Sequence, residues 1–168
     1  TIVDAGGHGF YGVMPAYLEN PRSLGTKLVT VYHGNAARGL PPHLATIGGI
    51  EQIVFLSAKG VTGINPADGK GLWQYAWEGT PILQPALTTD GDVLVTRGDA
   101  MGGMGMRRLA GTHAADSWSV DERWTSNGLK PYFSDFVVHN AYAFGFDGRI
   151  LSCIDLKDGA RKWKGGRF

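Results

Sequence analysis

Arg149-Ile-Leu-Ser-Cys-Ile-Asp-Leu-Lys-Asp-Gly-Ala-Arg-Lys-Trp163 decides the reading of this chain, because its second half has an earlier copy in Ile64-Asn-Pro-Ala-Asp-Gly-Lys-Gly-Leu-Trp73. In both, an apolar residue precedes Asn65 or Asp155, a glycine (Gly69, Gly159) stands four positions later, and a tryptophan four after that. The residues between form a turn: Asn and Asp side chains bond nearby amides, Pro fixes φ, and Gly accepts positive φ. The two tryptophans are 90 residues apart. That is about two lengths of a repeat of roughly 40–45 residues, so another unit is expected between them.

Working outward, Pro41-Pro-His-Leu-Ala-Thr-Ile47, Gln52-Ile-Val-Phe-Leu-Ser57, Val61-Thr-Gly-Ile64 and Leu72-Trp-Gln-Tyr-Ala-Trp77 read as four strands, rich in β-branched and aromatic residues and separated by glycine turns. The middle unit keeps this order through Pro85-Ala-Leu-Thr-Thr89, an Asp90-Gly91 turn, Val93–Thr96, Met106–Leu109 and Val120–Trp124. Its tryptophan, Trp124, lies 51 residues after Trp73 and 39 before Trp163, and loop insertions are expected at Asp99–Gly105 and around Gly111–Ser117. Phe136–His139, Ala141–Phe146, Ile150–Ile154 and Arg161–Trp163 complete a third unit. Near the start, Leu18-Glu-Asn-Pro21, Gly25 and Lys27-Leu-Val-Thr-Val-Tyr32 follow the repeat as a degenerate half-unit with Val29 in the tryptophan position.

Bulk properties narrow the function classes. Of the 168 residues, 43% are hydrophobic and 18% charged, which suits a packed globular chain. A net charge of +1 supplies no general attraction for nucleic acid or an anionic membrane. The single cysteine, Cys153, excludes an intrachain disulfide and any C-x-x-C motif, and reads as a packed thiol. No apolar run reaches the length of a transmembrane span.

Four-stranded antiparallel units of this length, each with one tryptophan in its outer strand, predict an all-β chain. The expected architecture is a β-propeller of about three blades plus part of a fourth, an incomplete ring. The expected divisions are a partial blade over 1–35 and blades over 36–79, 80–128 and 129–168. A lone blade cannot bury both faces, so Trp73, Trp124 and Trp163, with Asn65, Asp155, Gly69 and Gly159, are expected to pack blade on blade. Closed rings hold about 4–8 blades. The count, with the absent initial Met and the stop just after Trp163, reads as a fragment expected to self-associate through its incomplete edges.

The units resemble the repeats of the pyrroloquinoline-quinone (PQQ) enzyme-like propellers, with their recurring A-L-D-x-x-T-G-K-x-x-W segment, and the related propeller lipoproteins of the bacterial outer-membrane assembly machinery (BamB-like). The resemblance covers residues 36–168 well and 13–35 weakly. It implies a periplasmic or extracellular, non-catalytic binding or scaffolding module that presents loops on a ring face to a protein or small ligand. Two alternatives go with it: a fragment of a PQQ-dependent quinoprotein dehydrogenase, which would bring PQQ and calcium, and a carbohydrate-binding propeller using Trp77 or Trp118.

No catalytic constellation is visible in the residues. Gly7-x-Gly9-x-x-Gly12 matches a dinucleotide fingerprint in letters only, because Pro15 interrupts the helix that the pyrophosphate would need. The five histidines lack metal-ligand spacing. The adjacent-cysteine pair of many quinoproteins is absent. Ligand-face candidates are His33 and Asn35, after an outer strand where the chain crosses to the next blade, and Arg97 and Asp99 in the glycine- and methionine-rich loop through Met106.

Overall fold

The computed structural model describes residues 2–4, 9–19, 22–32, 43–99 and 101–167, and these residues contain strands and turns but no helix. Four antiparallel meanders follow one another. The first has three strands, β1 (Ile2–Asp4), β2 (Gly9–Glu19) and β3 (Arg22–Tyr32). The second, four-stranded, holds β4 (His43–Ile47), β5 (Ile50–Ser57), β6 (Gly60–Ile64) and β7 (Gly71–Ala76). The third holds β8 (Ala86–Leu87), β9 (Val93–Asp99), β10 (Gly102–Ala114) and β11 (Ser117–Ser126). The fourth holds β12 (Val137–His139), β13 (Tyr142–Asp147), β14 (Ile150–Asp155) and β15 (Arg161–Arg167).

The all-β expectation and the four-stranded antiparallel units are thus present. Two segments expected as loops are strand instead. Gly102 and Gly103 open β10 and pair back with Asp99 and Gly98 of β9, and Gly111–Ser117 extends β10 and β11 around an Ala115-Asp116 turn. The extension leans on the neighbouring sheet, where Gly111 leaves room for Ile47 and Gly48 for His113 and Trp118, whose tilted rings lie 4.9 Å apart within the hairpin. At the start, the expected half-unit is a full hairpin in which β2 pairs β3 from Gly9↔Tyr32 to Glu19↔Arg22. Pro15 lies in β2 opposite Thr26 of β3, beyond the Phe10–Gly12 stretch that pairs β1.

Two hydrophobic clusters join the four-stranded sheets. One gathers Ile47, Val54, Leu56, Val61, Trp73 and Trp77 against Val93, Val95 and Leu109. The other gathers Leu94, Met106 and Trp124 against Leu129, Phe136, Ala143, Ile154 and Leu156. The middle sheet therefore has both faces covered, and successive β9 residues point to opposite clusters. This is why Val93-Leu-Val-Thr96 reads as an unbroken apolar run, as strands buried on both faces do.

A β-bulge immediately precedes each repeat tryptophan. The register shifts between Gly63 and Ile64, between Arg108 and Leu109, and between Cys153 and Ile154, so that Trp73, Trp124 and Trp163 pair with Gly63, Arg108 and Cys153. One residue of the outer strand is left over at each bulge, which re-aims the following side chain. Trp73 and Trp124 are 8% exposed, but Trp163 is 44% exposed, because no described strand follows β15 to cover it.

Candidate functional site

The Asn65–Gly69 and Asp155–Gly159 turns match bond for bond. Asn65 Oδ1 accepts from Ala67 N and Asp155 Oδ1 from Lys157 N, each at 2.9 Å. Gly69 N and Gly159 N donate to Asn65 O and Asp155 O, again at 2.9 Å, with φ of 72° and 73° at the glycines. The amide bond from Lys157 and the Lys162 ammonium at 3.0 Å hold the Asp155 carboxyl below the usual carboxylate range. Local chemistry sets this geometry. Burial pushes the Cys153 thiol up, consistent with a packed rather than a reactive thiol.

Arg97 and Asp99 are likewise engaged within the fold. Asp99 Oδ1 accepts from Met101 N at 2.7 Å and Gly102 N at 3.1 Å, closing the β9–β10 hairpin. Arg97 donates to Glu78 O and lies over Trp77, 4.9 Å from the ring centroid. Arg107 covers the same ring at 4.5 Å, so Trp77 is 8% exposed and clasped by two guanidinium groups instead of offering a sugar platform. Arg107 also takes part in a network with Tyr75, Glu122 and Thr125. Bonds from Thr125 and Tyr75 hold Glu122 low, while burial and the Glu122 carboxylate raise the Tyr75 phenol. His33 and Asn35 lie outside the described residues.

A cleft of about 390 Å³ lies between the third and fourth sheets, lined by Thr88, Asp90, Arg108, Arg123, Asn140 and Lys157 among others. Arg108 organises it. Its Nε donates to Asp92 at 2.6 Å, Nη2 to Asp90, and Nη1 to Leu156 O of the next sheet at 2.7 Å. Thr88 Oγ1 donates to Asp90 at 2.5 Å and is the main reason that carboxyl sits below its ordinary range. Arg123, whose side chain is 58% exposed and 3.8 Å from Asp92, and Lys157 face the open side. Arg108 is held by Asp90 and Asp92, and Arg123 and Lys157 are the cations left to meet a negatively charged group in the cleft.

The sequence reading missed this cleft. Asp90-Gly91 was legible only as a turn, and no spacing connects it with Arg108, Arg123 or Lys157, which the stacking of two sheets brings together. Among the described residues, no group of three or more His, Cys, Asp or Glu is placed to hold a metal ion. No helix of the described residues is long and apolar enough to cross a membrane.

No family model matches the chain. Ketimine reductase mu-crystallin of Rattus norvegicus is 46% identical over 48 residues, and the Mus musculus protein of the same name matches to the same extent. The matched segment covers 28% of this chain and 15% of each reductase. This corrects the expectation of a non-catalytic binding or scaffolding module of the PQQ-like propellers, together with its quinoprotein and carbohydrate-binding alternatives. The matched segment is similar to a reductase, and a repeat that sets how sheets pack says nothing of the chemistry carried on them.

Proposed function

We propose that the protein serves an oxidoreductase function related to ketimine reduction. The 46% identity to the two reductases carries this reading, and the cationic cleft supports it as a place for a ketimine bearing a carboxylate. Reducing a ketimine adds hydride to carbon and a proton to nitrogen, so a hydride donor is required. The described residues do not fit a dinucleotide cradle: Gly9 and Gly12 sit inside β2, paired with Tyr32 and Val29, where a turn opening a helix would be needed. The described sheets are therefore assigned to the substrate side, with Arg123 and Lys157 meeting the carboxylate. The three four-stranded sheets are read as blades stacked about an axis, on the strength of their shared meander, bulge and tryptophan.

Calorimetric titration with a ketimine bearing a carboxylate, beside an assay of its reduction when a soluble hydride donor is added, tests this. Saturable binding that weakens about tenfold in Arg123→Ala, the loss of one exposed charge-assisted contact of about 1.5 kcal/mol, is expected. A folded chain that shows neither binding nor reduction would remove the reading.

A further inference from the structure

The contact between the third and fourth sheets uses a two-part device. Trp124 offers its indole, and the Asp155–Gly159 turn of the following sheet seats against it. Trp124 Nε1 donates to Leu156 O at 2.8 Å, Ser126 Oγ donates to Gly159 O at 2.5 Å, and a Cβ on Gly159 would come within 2.8 Å of the ring. The glycine thus lets the turn lie flat on the tryptophan.

Each half of this device recurs in the chain without its counterpart among the described residues. At one end of the stack, Trp163 occupies the Trp124 position after the same bulge and is 44% exposed. Its ring continues into an aromatic surface, with Phe144 6.1 Å away and Tyr142 6.3 Å beyond that. At the other end, the Asn65–Gly69 turn reproduces the Asp155–Gly159 turn in its bonds and glycine φ, yet no described atom lies within 4 Å of a Cβ built on Gly69. One chain therefore carries both complementary surfaces, facing different ways.

We propose that Trp163 of one copy docks on the Asn65–Gly69 turn of a second copy, repeating between molecules the contact made between the third and fourth sheets. Pro66 stands where Leu156 stands, so its carbonyl accepts from the Trp163 indole N–H, and Gly69 lies on the ring as Gly159 does on Trp124. The contact is head to tail: the patch on one copy differs from the patch it meets, so copies add until the rotation closes a ring. The apolar face left by the last sheet is of the kind that marks an interaction surface.

Sedimentation velocity over a range of chain concentrations tests this, with circular dichroism to confirm that each variant is folded. The chain is expected to associate as concentration rises. Trp163→Ala should weaken association roughly 30-fold or more, as removal of a tryptophan anchor does. Gly69→Asn, which tolerates positive φ but puts a side chain on the docking face, should weaken it similarly, whereas Gly148→Asn, at a comparable φ of 67°, should not. Because each weakened variant keeps the surface that the other lacks, an equimolar mixture of the two should restore a dimer. A chain that stays monomeric throughout overturns the proposal and leaves the Trp163 face to another occupant. Association unchanged in both variants, or a mixture that stays monomeric, overturns it equally.

Discussion

At the scale of single residues, the least obvious participant in the core is Gln52, fully buried with its Oε1 2.5 Å from Trp73 Nε1. Its Nε2 donates to Ile47 O at 3.3 Å, so amide and indole satisfy each other inside an apolar cluster. Gly63 makes the bond sterically feasible, since a Cβ there would fall on both the indole and the amide. Gln52→Leu keeps the volume but strands the indole N–H. A loss of about 1–3 kcal/mol is expected from urea unfolding, the cost of leaving one buried donor unmade. Nothing in the local sequence marks Gln52, which follows Glu51 at the polar start of β5.

At the scale of elements, the Asp155–Gly159 turn does two jobs: it reverses the chain and it packs against Trp124. Gly159→Ala places a Cβ in the left-handed region and within 2.8–3.0 Å of the Trp124 ring and Ser126. Gly148→Ala has a similar φ of 67° but meets no described atom within 4 Å. Backbone strain is common to both, so the difference between them isolates the packing. Gly159→Ala should be the more destabilising by about 1–3 kcal/mol in thermal or denaturant unfolding, the usual range for overpacking. The turns were legible because Asx-Pro and Asp-Gly chemistry is local. The bulges were not, since a one-residue register shift depends on the partner strand, and the β10–β11 extension was misread because its support comes from Ile47 on another sheet.

At the scale of the whole molecule, several ionised groups tie strands and sheets together, and their shifts set the pH response. Asp90, Glu122 and Asp155 are all lowered, by bonds from Thr88, Thr125 and the Lys157 amide first. A lowered carboxyl favours the folded state above its unfolded pKa of about 4 and loses that advantage as pH falls through its folded value. Tyr75 is raised by burial and Lys162 by Asp155, so their contribution is complete below about pH 10 and is lost as pH rises through their folded values. The unfolding free energy is expected to stay level between these limits and to fall on both sides. Thr88→Val should make the acid fall shallower. An acid limb of the same steepness in Thr88→Val would show that the Thr88 bond does not set the behaviour of Asp90.

The sequence by itself determined most of the strands, their turns and the recurrence of Trp73, Trp124 and Trp163, because alternation, Asx-Gly turns and repeat spacing are encoded over a few residues. The same letters also led to a propeller-family function that the 48-residue similarity to a reductase corrects, since the repeat encodes how sheets stack and not what they act on. Only tertiary structure decided that Trp77 is clasped by Arg97 and Arg107, that Arg108 builds a cleft across two sheets, and that Trp163 is exposed while its two equivalents are buried. Each of these depends on which sheet stands next, and that neighbour lies tens of residues away along the chain.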